Sequence, residues 1–157
     1  MIDHSMLRER INGFISLIDL INKYKFIVST AEVKQSFFRI ALIICSIDSD
    51  IDEREVDLLN SVFGENEDKT FYEKNMPTSQ EIKEFWELMP SMMIRLSTDF
   101  DEVVRALTKS NASIGLMYHE IAVDVLKTCM LVDEKIDAHE AEFIELYDLK
   151  MREYIQS

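Results

Sequence analysis

A chain of 157 residues that is 47% hydrophobic is long enough to bury a core and too apolar to remain disordered. With only three Gly and two Pro it lacks the punctuation of a β-sandwich or barrel, which favours helices. Seventeen Lys+Arg against 30 Asp+Glu leave a net charge of −13. That disfavours nucleic acid and points to cations or basic protein surfaces, or simply to a well-solvated exterior.

Along the chain, Leu7, Ile11, Phe14, Ile15, Ile18 and Ile21 recur at helical period and predict a first helix over about 3–26, capped by Asp3 or Ser5. A second helix is expected over about 31–47 with Thr30 as its N-cap; its centre is apolar nearly all round, so deep burial is expected. Asp52, with Glu55 three residues on, forms a capping signature for a third helix that stops near Phe63, where Gly64 supplies the left-handed residue. Residues 64–77 read as a loop with at most a turn of helix at Phe71-Tyr72. Thr78 to Glu81 is another capping box; it opens a helix through Phe85, Trp86 and Met89 that Pro90 interrupts. Helices over about 91–109, 112–132 and 137–154 complete the chain, the first with a break near Ser97–Asp99 and the last capped by Asp137 with Glu140. The expected fold is one all-α domain over 1–157, a bundle of about seven helices.

Two segments nearly repeat. Asp48-Ser-Asp-Ile-Asp-Glu-Arg-Glu55 and Asp133-Glu-Lys-Ile-Asp-Ala-His-Glu140 both read D-x-x-I-D-x-x-E. Each follows an apolar run and precedes an amphipathic helix, which suggests a pseudo-twofold pair of helix–acidic turn–helix units over about 31–63 and 115–154. The middle helices, about 78–109, would cover the remaining face. Charge concentrates here: residues 48–84 hold twelve acids and four bases, and residues 133–148 hold seven acids and one base.

The functional reading is a site for a hard divalent cation such as Ca²⁺ or Mg²⁺, with Asp48, Asp50, Asp52 and Glu55 as oxygen ligands and Asp133, Asp137 and Glu140 as a weaker second set in which Lys135 replaces Asp50. The structural reading is that Asp52 and Asp137 cap helices, Glu55 and Glu140 complete capping boxes, and Ile51 and Ile136 staple onto Val56 and Ala141. The segments are not EF-hands. Glu53 stands where that loop needs Gly, and Leu59 where it needs its last Glu.

Taken together, the two segments and their flanking helices resemble the TerB-like domain family, named for a tellurite-resistance protein, over roughly residues 31–150. The resemblance implies an all-helical bundle with internal symmetry and a non-enzymatic acidic module linked to stress responses and membrane-associated assemblies. It also implies metal binding at Asp48, Asp52, Glu55, Asp133, Asp137 and Glu140. Ser49 and Glu134 depart from the family, which commonly has Gly after the first Asp.

Cys45 and Cys129 sit in apolar helical runs and read as buried small hydrophobes. Residues 1–10 do not suggest a signal peptide, so a cytoplasmic location is expected; Phe37–Ile47 is too short to cross a membrane. His4, His119 and His139 have no zinc-like spacing, and no phosphate loop or nucleophile elbow occurs, so an enzyme is not expected. Met89, Met92, Met93, Phe85 and Trp86 fit either core or an adaptable partner-binding patch. The leading expectation is thus an acidic cation-binding module of the tellurite-resistance type; the alternative is an immunity-like or scaffold module whose acidic face binds a basic protein partner.

Overall fold

Asp3 caps the first helix by accepting a hydrogen bond from the Met6 N–H at 2.8 Å, so α1 begins at His4 and runs to Asn22 (His4–Asn22). The computed structural model describes residues 3–46, 51–75, 98–132 and 138–156. Beyond α1 it contains α2 (Thr30–Ser46), α3 (Glu53–Phe63), α4 (Lys69–Asn75), α5 (Thr98–Ser110), α6 (Ala112–Leu131) and α7 (Ala138–Gln156). The described residues are all-α: seven helices and no strand.

Several boundaries differ from the periodicity. α1 stops at Asn22 rather than near Phe26, because the Asn22 side chain leaves the ladder to bond the loop: it accepts from the Ile27 N–H at 2.9 Å and donates to the Val28 carbonyl at 2.8 Å. Thr30 lies inside α2, and the Val33 N–H donates to Ser29, one residue earlier than the expected cap. The expected loop contains α4. Asp68 caps it by accepting from the Phe71 N–H at 2.9 Å, and its Tyr72 is fully buried. Asn60 ties the intervening turn, since its amide donates to the Glu67 carbonyl at 2.9 Å and accepts from the Glu67 N–H at 3.1 Å, while the Tyr72 hydroxyl also donates to it. The helix expected from Thr78 to Met89, with Pro90, Met92 and Met93, lies outside the described residues; of the break expected near Ser97–Asp99, Ser97 also lies outside them, while Thr98 and Asp99 open α5.

α2 and α6 form the centre. α2 packs on α1, α3, α5 and α6, and α6 packs on α1, α2, α5 and α7. Phe37 stacks on Tyr118 with centroids 4.6 Å apart, and Phe14 of α1 closes on both rings at about 6 Å. Beneath this cluster the Ser36 and Tyr118 hydroxyls share a buried hydrogen bond of 2.8 Å. Gly115 lets α5 approach α6 closely, since a Cβ there would lie 2.4 Å from Thr108 Oγ1 and 3.3 Å from its Cα. The equivalent positions of the two repeat units are buried alike: Leu58 with Phe143, Leu59 with Ile144, and Val62 with Tyr147. Among the described residues no helix is long and apolar enough to cross a membrane.

Candidate functional site

α2 and α6 are the helices that lead into the two acidic segments. Phe37 meets Tyr118 in the first half of each helix, and further along both, Cys45 lies beside Cys129. The helices therefore run the same way and end together, at Ser46 and Leu131. The chain enters both acidic segments from one pole of the bundle.

On the first segment, Asp52 and Glu55 lie at the start of α3. Asp52 Oδ1 accepts from the Glu55 N–H at 3.0 Å, and Glu55 Oε1 accepts from the Asp52 N–H at 3.2 Å, which completes the reciprocal capping box. The second Asp52 oxygen faces Arg54 at 3.7 Å. Ile51 and Val56, the two halves of the expected staple, are both buried in the core. Gly64 ends α3 with φ 69°, as expected. Glu55 is only 4% exposed, and its carboxylate also reaches the Cys45 thiol. Hydrogen bonding to Cys129, burial and the neighbouring Glu55 charge hold the Cys45 thiol well above its usual range, so it stays protonated. Both cysteines are free and buried.

On the second segment, Glu140 lies in the first turn of α7 and is also 4% exposed. The repeat thus places a buried carboxylate at the same position of each unit. Asp48, Asp50, Asp133 and Asp137, with Ile136, lie outside the described residues. Among the described residues no three His, Cys, Asp or Glu side chains come close enough together to hold a metal ion. Asp52 and Glu55 alone do not compose such a site, because one oxygen of each already serves the capping box.

Sequence reading missed one polar site. His119 of α6, which sequence marked only by its lack of zinc-like spacing, lies between helices with its side chain 1% exposed. Its Nε2 lies 2.6 Å from Asp148 Oδ1 of α7, and Arg152 Nε donates to the same oxygen at 2.8 Å. Burial lowers the His119 pKa, only partly offset by Asp148, so the ring is neutral and its Nε2–H donates to the carboxylate. Burial pushes Asp148 upward, but the bonds from His119 and Arg152 outweigh it and hold the carboxyl below its usual range. The ring stacks on Tyr147 at 5.6 Å, and its Nδ1 has no hydrogen-bond partner among the described residues. The Asp148–Arg152 spacing was visible as an i,i+4 pair; its pairing with His119 depends on tertiary packing.

No family model matches the chain, and no curated protein or solved structure is significantly similar to it. The TerB-like resemblance therefore rests on the two D-x-x-I-D-x-x-E segments and their helical setting.

Proposed function

We propose that this chain is a non-enzymatic, cytoplasmic acidic binding module of the tellurite-resistance or stress-response type, whose acidic pole engages a cationic ligand. One observation supports the reading: α2 and α6, the helices that precede the two acidic segments, run side by side in the same direction. Carboxylates brought close together would repel one another, and a hard divalent cation or a basic surface would relieve that repulsion. The ligands proposed for Ca²⁺ or Mg²⁺ are Asp48, Asp50, Asp52 and Glu55, with Asp133, Asp137 and Glu140 as the second set. Titration calorimetry of the chelator-stripped protein tests this. A saturable heat with one divalent ion, lost in Asp48→Asn/Asp50→Asn, supports it; no heat beyond that of ionic-strength controls rejects it.

A second reading, a basic protein partner at the same pole, has its own support. Asp52 and Glu55 are already engaged in capping, and Arg54 faces Asp52, so these carboxylates are partly satisfied without a metal. Binding of that kind weakens with salt and survives chelators.

A further inference from the structure

The pole opposite the acidic segments has a different character. There α1 turns into α2 through Lys23-Tyr24-Lys25-Phe26, in a chain whose net charge is −13. Tyr24 is 87% exposed and Phe26 69%, the two most exposed large hydrophobic side chains described, and Leu20 on the last turn of α1 is also exposed. This connection is held in shape. The Tyr24 and Lys25 N–H groups both donate to the Ile21 carbonyl at 2.9 Å, Asn22 bonds Ile27 and Val28 on the far side, and Val28 plugs into the core. Backbone and core needs are thus met by Ile21, Asn22 and Val28, while the two rings project outward between lysines.

We infer that this connection is an interfacial anchor that inserts Tyr24 and Phe26 into the headgroup region of an anionic bilayer, with Lys23 and Lys25 on the lipid phosphates. Three observations favour a bilayer over a protein. The rings are exposed and line neither of the two grooves found along α2. One short connection offers far less than the roughly 800 Å² per partner of a stable protein interface, whereas a few inserted side chains with a basic flank suffice for reversible membrane attachment. Aromatic rings and lysine stems are also the side chains that suit an apolar–polar boundary, with the ammonium groups kept at the phosphate level. The acidic excess does not oppose this. α2 separates the tip from the acidic pole by about 25 Å, at about 1.5 Å per residue, against a screening length of about 8 Å in physiological salt. Among the described residues nearest in the chain, Lys23 and Lys25 stand against Asp19, which pairs with Lys23 at 3.9 Å, and Glu32 in the first turn of α2, and α6 starts at the same pole just after Lys109. Docked this way, the protein points its acidic pole into solution.

Flotation of the full chain with phosphatidylcholine vesicles, with and without phosphatidylserine, tests the inference. Expected is binding to the anionic vesicles alone that weakens as salt rises. Lys23→Gln and Lys25→Gln should each weaken it about fivefold. Tyr24→Ser/Phe26→Ser should weaken it tenfold or more with unchanged helicity and melting temperature, because neither ring belongs to the core. No binding of the parent protein to anionic vesicles at low salt overturns the inference, and so does equal binding by the Tyr24→Ser/Phe26→Ser variant. If that variant instead abolishes self-association in sedimentation while leaving vesicle binding unchanged, the tip is a contact between copies of this chain and the bilayer reading fails.

Discussion

Phe37 of α2 and Tyr118 of α6 stack with ring centroids 4.6 Å apart and planes 22° from parallel, and this pair sets the register of the two central helices. Further along both helices the same register brings Cys45 beside Cys129. The Tyr118 hydroxyl adds a bond to Ser36, whose own hydroxyl donates to the Val33 carbonyl at 2.8 Å. Tyr118→Phe should therefore lower stability by only about 1 kcal/mol, the worth of one buried hydrogen bond, because Ser36 keeps an acceptor. Tyr118→Ala should remove about 3–5 kcal/mol, as for other buried aromatic deletions. Urea unfolding of both variants measures the contrast.

The capping box separates two roles of the same carboxylate. Asp52→Ala should cost about 1 kcal/mol of stability in metal-free buffer, whereas Asp52→Asn should cost a few tenths at most, since Asn caps equally well. Denaturant melts of the two variants decide the matter. Asp52→Asn then becomes a clean probe of ligand binding, because it removes charge without removing the cap.

Gly115 is a packing glycine. Alanine there gains about 1 kcal/mol of helix propensity, but its Cβ meets Thr108 of α5 at 2.4–3.3 Å. The steric cost, about 1–3 kcal/mol, should win, so that Gly115→Ala is net destabilising. Thr108→Ala removes the nearest atom, and its Oγ1 has no hydrogen-bond partner among the described residues. Thermal melts should thus show Thr108→Ala/Gly115→Ala regaining part of the loss.

Acid should lower stability over two pH windows to which one pair of residues contributes. The folded-state pKa of His119 lies below its usual 6.5, so the unfolded chain takes the proton first, and stability present above that pH falls as pH drops below it. The folded-state pKa of Asp148 lies below its usual 3.8, so its contribution holds above that pH and is lost only as pH falls further. Stability measured by denaturant between pH 7 and pH 5 should decline in the parent and flatten in His119→Gln.

How much of this was legible in the sequence depended on how local each cause is. The α3 cap and Gly64 are set by residues within a few positions of one another, and they stand where periodicity and capping rules put them. Of α4 only the turn at Phe71-Tyr72 was legible, because the helix rests on Tyr72, which packs against Phe38 and bonds Asn60 of α3, both distant in sequence. The end of α1 was missed for the same reason: Asn22 can extend the helix or clamp the loop, and only the tertiary position of Val28 decides. For the candidate site, the repeat itself was plain, and so was the buried nature of Cys45 and Cys129. That the two cysteines touch, and that Glu55 and Glu140 are buried, required the register of α2 on α6. Asp48, Asp50, Asp133 and Asp137 lie outside the described residues, so for them only the sequence speaks.

The most direct measurement is a thermal melt of chelator-stripped protein titrated with Ca²⁺, Mg²⁺, Mn²⁺ and Zn²⁺ at constant ionic strength. A ligand that binds only the folded state at a hundred times its dissociation constant adds about 2.7 kcal/mol, or roughly 5–10 °C for a chain of this size. We expect a saturable rise of that order for one hard divalent ion, absent in Asp48→Asn/Asp52→Asn although that variant, without metal, melts close to the parent. Equal melting temperatures with every ion, or the same rise in the variant, would contradict a cation site at the acidic pole and leave those carboxylates as helix caps.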